Sequence, residues 1–282
     1  MYDLILENRN GRRLTFGVGS PFQITEFEGL NPVKATISTN ETAFMDGVKF
    51  NSSKLQARQI NIAFVIDRNP EESRKQAYLV IQPKKYIKVM FKSDTLDCFA
   101  EGYVESLDVS YFAKKQTLLV SILCPYPYLK SSEEIVDEMS SVTPMMHFPF
   151  PTSESLVFGE IDTIASYDVE NNGSADTGLT FELYARGAVS NPKLIDYISH
   201  EYMELDFDMQ AGDVITITTE PGNKNITLLR DGVKTNIFNA LTADSTWLIL
   251  PIGGTTYVYT TESGTTTNLV VTIKHYDLYE GV

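Results

Sequence analysis

The sequence predicts a mainly β protein of two domains, a β-rich unit carrying a single helix and then an antiparallel β-sandwich. Three observations carry that expectation. Apolar residues recur at every second position, as in QINIAFVID, where Ile60, Ile62, Phe64 and Ile66 fall on one face of an extended strand. Helix punctuation frames one segment of the first half, NPEESRKQAYLVIQP. The 282 residues also exceed the roughly 250 at which one core stops growing, and the charge changes near the middle. Residues 1–130 hold 17 Lys and Arg against 14 Asp and Glu, a net of +3, whereas residues 131–282 hold 6 against 23, a net of −17.

The first domain is expected over residues 1–130. Strand candidates before the helix are YDLILEN, RLTF, QITEF, VKATIST and LQARQINIAFVID. In the helix, Asn69 is placed to cap and Pro70 suits the first position. Glu71 and Glu72 favour the positive end of the dipole, and Pro83 closes the run. KYIKVMF, DCFAEGYVESLDVSYF and KQTLLVSILC follow, with Leu118, Val120 and Ile122 sharing a face in the last. A two-residue loop at Ala113 and Lys114 would set Phe112 opposite Lys115 and Cys124 opposite Tyr103. Cys98 would then lie five strand residues from Cys124's partner, roughly 17 Å away and too far for a disulfide within that hairpin.

From Ser131 the alternation stops. SSEEIVDEMSSVTPMMHFPFPTSES is acidic, then proline-punctuated, and residues 131–160 are expected to be a linker or crossing arm. Its Met145, Met146, Phe148 and Phe150 are too apolar for a free tether and are expected to dock on a domain. The second domain, 161–282, shows short strands with turn signals every 8 to 12 residues, the pattern of an antiparallel sandwich. Its strand candidates are ASYDVEN, GLTFELYAR, KLIDYIS, YMELDFDM, DVITITTE, NITLLRD, TWLILPI, TTYVYTT and NLVVTIKHYDLY. Pro221-Gly222-Asn223 and Asp231-Gly232 supply turn residues that permit positive φ.

Composition narrows the function. A hydrophobic share of 43% against 21% charged is that of a packed protein, and a formal charge of −14 argues against nucleic acid bound through a whole-molecule positive field. The start, MYDLILENRNGRRLTF, lacks the basic, apolar and small-residue segments of a signal peptide, so synthesis in a cytoplasm is expected. LLVSIL and WLILPI fall well short of the roughly 18 apolar residues of a membrane helix, and no membrane partner is expected.

Candidate chemistry is thin. The two cysteines, Cys98 and Cys124, exclude a disulfide framework and a four-cysteine zinc site. His147, His200 and His275 lack metal-ligand spacing. Asp206 and Asp208 could hold a divalent cation, but Leu205, Phe207 and Met209 alternate inward and leave the carboxylates on a solvated face. Glu133, Glu134, Asp137 and Glu138 read as a solvated charge cluster. Cys124 ends an apolar strand before a proline and reads as a small buried hydrophobe rather than a nucleophile. There is no Gly-rich phosphate loop or nucleophile elbow, so no catalytic residue, cofactor or metal is expected. One non-enzymatic candidate is Trp247, which could stack on a sugar, although TWLILPI makes it equally a core anchor.

Several strings resemble one family. QITEFEGLNP, the stretch FMDGVKFNSSKLQARQINIAFVI, the helix ESRKQAYLVIQPKK and the closing CPYPYLK are similar to the amino-terminal domain of phage distal tail proteins. QAGDVITITTEPGNKNITLLRDG followed by STWLILPIGG resembles the same family's carboxy-terminal galectin-like sandwich, with Pro251-Ile252-Gly253-Gly254 where relatives carry a Pro-Gly-Asp/Asn-like turn.

The resemblance implies a structural role. The first domain would form a homo-hexameric ring on the tail tube protein, and the second would hold tail fibre or receptor-binding baseplate proteins. The protein would act at the virion tail tip after assembly in the host bacterial cytoplasm. A long β arm, for which residues 33–66 are the candidate, would reach a neighbour and extend its sheet. The alternative is a carbohydrate-binding module that recognises host surface glycans through the sandwich, with Trp247 as its platform.

Overall fold

In a computed structural model, the chain is described at residues 3–41, 43, 46–113, 115–143, 160–163, 166–262 and 266–282, with the backbone alone at 140–143 and 160–163. It divides into two compact units, one formed by residues 1–132 with 278–282 and the other by 133–277.

Unit 1 contains β1 (Asp3–Asn8), β2 (Arg13–Phe16), β3 (Phe22–Glu28), β4 (Ala35–Glu41), β5 (Val48–Leu55), β6 (Arg58–Ile66), α1 (Pro70–Val80), β7 (Tyr86–Lys92), β8 (Asp97–Val109), β9 (Thr117–Cys124) and β10 (Leu129–Ser131). One antiparallel sheet runs β2-β1-β7-β8-β9-β6-β3, with β10 added beside β8 and residues Leu278–Tyr279 paired to β10. The inward positions of β6 and β9 are those the alternation predicts: Ile60, Ile62, Phe64 and Ile66 on one strand, and Leu118, Val120, Ile122 and Cys124 on the other.

The sheet curls until its ends approach each other. Phe16 of β2 meets Phe64 of β6 edge-on at 4.9 Å, and Phe22 of β3 meets the same ring at 5.7 Å. The helix lies against β1, β2 and β6. It buries Ser73, Ala77 and Val80, spaced by four and three residues so that they share one face.

Asn69 does not cap the helix as expected. It adopts a left-handed conformation (φ 46°) and makes no side-chain cap. Ser73 instead donates its hydroxyl to the Arg68 carbonyl, fixing the entry to the first turn.

The β8–β9 register departs from the expected pairing. Val109 faces Leu118 and Ser106 faces Ser121 as expected, but a bulge between Val104 and Ser106 puts Leu123, not Cys124, opposite Tyr103. Cys124 comes to Gly102, where a Cβ would stand 2.8 Å from the Cys124 sulfur and 2.6 Å from the Leu123 carbonyl oxygen. Only glycine leaves that room.

Arg58 is fully buried at the start of β6, in phase with Ile60 and Ile62. Its guanidinium donates to the carbonyls of Pro127 (2.8 Å), Asn31 (3.0 Å), Glu280 (2.6 Å) and Gly29. Those acceptors bring together the connection after β3, the Cys-Pro-x-Pro exit from β9 and the carboxy-terminal end of the chain. Val282 N–H also bonds the Leu30 carbonyl at 3.0 Å, and a Cβ on Gly281 would stand 2.7 Å from Pro32. Residues 278–282, expected in the sandwich, therefore complete unit 1, because buried guanidinium donors require acceptors and this segment supplies one.

Unit 2 contains β11 (Ile135–Glu138), β12 (Ser140–Thr143), β13 (Glu160–Thr163), β14 (Ser166–Val169), β15 (Thr177–Gly178), β16 (Thr180–Ala185), β17 (Val189–Ser190), β18 (Lys193–Asp196), β19 (Tyr202–Glu204), β20 (Asp208–Met209), β21 (Val214–Thr218), β22 (Asn225–Arg230), β23 (Val233–Asn236), β24 (Ile249–Leu250), β25 (Thr255–Thr260) and β26 (Leu269–His275). A six-stranded sheet, β11-β26-β16-β21-β22-β23, and a four-stranded sheet, β14-β25-β18-β19, enclose one core. Phe181 of the first sheet meets Tyr257 of the second edge-on at 5.6 Å.

Part of the expected linker is thus structure: β11 is the edge strand beside β26, with Ile135 opposite His275, and β12 pairs with β13. Met145, Met146, His147, Phe148 and Phe150 lie outside the described residues.

Candidate interaction surfaces

Neither cysteine is placed for chemistry. Cys98 and Cys124 are free and buried; burial raises the Cys98 thiol to about 11 and the Cys124 thiol to about 12, against a smaller opposing pull from Arg58. A thiol that stays protonated at neutral pH is not a nucleophile. Among the described residues no three His, Cys, Asp or Glu converge to hold a metal ion.

His275 is buried with Nε2 3.1 Å from the Glu170 carbonyl, and burial lowers its pKa despite Asp277, Asp137 and Glu134 nearby. His200 sits in a left-handed turn position (φ 61°). Asp206 and Asp208 are exposed while Leu205 and Met209 are buried, so the alternation holds there, although the expected single strand is broken between β19 and β20.

The string that carries the family resemblance in unit 2 is scaffold. Asp213 is buried and accepts from Arg230 twice, Nε to Oδ1 at 2.8 Å and Nη2 to Oδ2 at 2.5 Å, and from the Gln210 N–H at 2.7 Å. The hydrogen bonds from Arg230 hold the Asp213 carboxyl below its ordinary range. The turn joining β21 to β22 closes with Asn223 N–H on the Glu220 carbonyl at 2.9 Å and Gly222 at φ 83°, a type II geometry that uses Pro221 and Gly222 in their favoured places. Asp231 and Gly232, at φ 51° and 76°, make the tight turn from β22 to β23, which the sequence did not mark as a strand.

The Pro251-Ile252-Gly253-Gly254 turn closes through Gly254 N–H to the Pro251 carbonyl at 3.1 Å. Gly253 and Gly254 both take positive φ there. A Cβ on Gly254 would stand 2.2 Å from the Val169 carbonyl oxygen, so glycine is required whatever the turn's name.

Trp247 lies half-buried outside the strand expected for TWLILPI, of which only Ile249 and Leu250 form a ladder. Its ring packs 5.6 Å from Phe238 at an interplanar angle of 31°, and the Lys224 ammonium stands 5.1 Å from the ring centroid. Protein groups therefore already contact the aromatic surface that a sugar platform needs.

The surface that stands apart is in unit 1. Among the described residues β4 and β5 pair only with each other, from Ala35 opposite Leu55 to Glu41 opposite Val48, with a bulge between Ser38 and Thr39. The Gln56 N–H to Lys34 carbonyl bond closes the base at 3.0 Å. The hairpin is amphipathic. Ala35, Ile37, Val48, Phe50 and Leu55 fall on one face together with Thr39, Glu41 and Ser53, while the other face, Thr36, Ser38, Asn40, Lys49, Ser52 and Lys54, is wholly polar. Ile37, Phe50 and Val48 are 62%, 61% and 54% exposed. The expected arm at 33–66 is shorter than the sequence suggested, because β6 is a central strand of the main sheet.

The comparisons bear on both units. Residues 172–277 match the family model "Siphovirus-type tail component, C-terminal domain". Among solved structures, the Dit (gp 19.1) protein of phage SPP1, described as a paradigm of hub adsorption apparatus in Gram-positive infecting phages, aligns at TM-score 0.67 and 14% identity, covering 98% of each chain. A component of the phage P2 baseplate in its activated conformation with Ca aligns at 0.57 and 11% identity over 100% of each chain, and one of the phage p2 baseplate with Sr at 0.54 and 10% over 98% of each. No curated protein matches the sequence.

These likenesses fix the fold as that of distal tail proteins, and the family consists of structural tail components rather than enzymes. The family likeness thus lies in residues 172–277, which match the carboxy-terminal domain of siphovirus-type tail components, while along the whole chain the likeness is one of fold.

Proposed function

We propose that this chain is the structural hub at the distal end of a phage tail. Six copies close into a ring through unit 1 and join the tail tube, and unit 2 holds baseplate or host-adhesion components. Assembly takes place in the host bacterial cytoplasm and the protein works at the virion tail tip. The observation that carries this reading is the β4–β5 hairpin, an arm whose Ile37, Val48 and Phe50 stand exposed among the described residues.

Large exposed apolar side chains on one face of a rigid element are the mark of an interface. Burying what Ile37, Val48 and Phe50 still expose on a neighbour would contribute roughly 3–5 kcal/mol per arm before the cost of association. A heterologous contact of this kind, repeated by rotation, closes a ring. The likeness in fold to a hub protein along the whole chain supports the same assignment.

The test is negative-stain electron microscopy of the full chain, alone and with its tail tube and baseplate neighbours. A six-membered ring supports the hub; a particle that stays single in every mixture refutes it. Glycan recognition through Trp247 gains no support from a ring contacted by Phe238 and Lys224. Glycan-array binding lost in Trp247→Ala with the fold retained would restore that alternative.

A further inference from the structure

We infer that residues 278–282 act as a clasp on the root of the β4–β5 arm, holding that arm in the pose in which it meets a neighbouring copy. The meeting with a neighbour rests on the ring reading above; the clasp itself does not.

The arm joins unit 1 through two short connections, residues 29–34 before β4 and residues 56–57 after β5. Gln56 N–H on the Lys34 carbonyl ties the two together at 3.0 Å, and Gln56 Nε2 reaches Thr36 Oγ1 at 3.0 Å. Beyond that root the described strands of the arm pair only with each other. The arm is therefore a lever. Its eight-residue strand β5 spans roughly 26 Å, so a tilt of about 10° at the root carries the tip through roughly 4–5 Å.

What fixes the root comes from residues 278–282. Leu278 pairs opposite Lys130 and Tyr279 opposite Leu129; Leu278 is buried, and Tyr279 packs against the core as Leu30 does. The Glu280 carbonyl accepts from Arg58 at 2.6 Å, just past the second connection, and the same guanidinium holds the Asn31 carbonyl of the first. A Cβ on Gly281 would stand 2.7 Å from Pro32 Cδ and 2.9 Å from the Leu30 carbonyl oxygen. That oxygen also accepts from Val282 N–H at 3.0 Å. Three successive residues thus act on both sides of the root, Glu280 through Arg58, and Gly281 and Val282 on residues 30–32.

The order of the chain gives this clasp a consequence. Residues 278–282 follow unit 2 directly, so during synthesis the root stays open until residues 133–277 have been made. An arm set last keeps unfinished copies apart.

Hydrogen exchange of the full chain, read by mass spectrometry beside electron microscopy of the same samples, tests the clasp. Gly281→Val places side-chain atoms where Pro32 and Leu30 leave no space, and Val282→Pro deletes the N–H that the Leu30 carbonyl accepts. Neither touches the arm. In both variants the Gln56 amide should exchange at least tenfold faster and the ring fraction should fall at least tenfold, with the amides of β9 and the circular dichroism unchanged. Unchanged Gln56 exchange in a folded variant overturns the clasp, because Arg58 with Gly29, Asn31 and Pro127 then suffices to hold the root. Faster exchange with rings formed as in wild type overturns its role in assembly. If Gly281→Val does not fold, Val282→Pro, which leaves Gly281 in place, carries the test. If wild type forms no ring even with its tail partners, the hub reading falls, and Gln56 exchange alone decides the clasp.

Discussion

Each unit is organised by an arginine, and the two are held in opposite ways. Arg58 in unit 1 is fully buried and satisfied by four main-chain carbonyls, from Gly29, Asn31, Pro127 and Glu280. Arg230 in unit 2 is partly exposed and forked onto the carboxylate of Asp213, seventeen residues away. The first gathers segments from both ends of the chain without an opposing charge among those acceptors. The second pins one local turn with an ion pair. A cation held by neutral dipoles should be indifferent to moderate acid but intolerant of removal, whereas a carboxylate-held one should respond to pH.

The single tryptophan makes the comparison measurable, since Trp247 lies in unit 2 and its fluorescence reports that unit alone. The largest expected effect is Arg58→Met. Four buried carbonyls lose their donor, and removing one side of such a buried charged arrangement costs about 3–5 kcal/mol. In urea, the part of the circular dichroism signal belonging to unit 1 should unfold earlier while the Trp247 transition stays in place. A shift of both transitions together would show that Arg58 does not act within unit 1 alone.

Asp213→Asn comes next, at about 1–3 kcal/mol for an unsatisfied buried group. It should move the Trp247 transition and leave unit 1 alone. Because Arg230 lowers the Asp213 pKa in the folded state, the stabilisation is present above the unfolded value of about 3.9 and lost as pH falls through the folded value. Wild-type unit 2 should therefore weaken in acid, and the Asn variant should show a flatter acid limb.

His275 gives a smaller effect at milder pH. Burial lowers its pKa, so the fold favours the neutral ring; its stabilisation is complete above about 6.5 and declines as pH falls below that value. His275→Gln, which keeps a donor towards the Glu170 carbonyl, should remove the slope between pH 6.5 and the acid limb. An unchanged slope would assign it to other groups.

How far the sequence disclosed this depended on the range of each interaction. Alternation marked the inward faces of β6 and β9 because a half-buried strand imposes a period of two on its own residues. The helix at 70–80 and the turn at Asp231-Gly232 were visible for the same local reason. Arg58 was missed although it is in phase with Ile60 and Ile62; an arginine at an inward position was the signal, but its acceptors lie up to 222 residues away. The bulge at Val104/Ser106 and the return of residues 278–282 to unit 1 were hidden likewise, since neither follows from local pattern. The arm was legible as a candidate but too long, because β4, β5 and β6 share strand chemistry and only the sheet order separates them.

The smallest expected effect on stability is at the arm. Ile37→Ser/Phe50→Ser changes surface positions and should move neither unfolding transition by more than about 0.5 kcal/mol per site. Its effect should fall on assembly instead.

Native mass spectrometry of the full chain at rising concentration, wild type beside Ile37→Ser/Phe50→Ser, tests the central claim most directly. The account predicts a wild-type species at six times the 31.6 kDa chain mass and a folded monomer for the variant. A wild type that remains monomeric at every concentration and with its tail partners, or a variant that assembles as well as wild type, would contradict it.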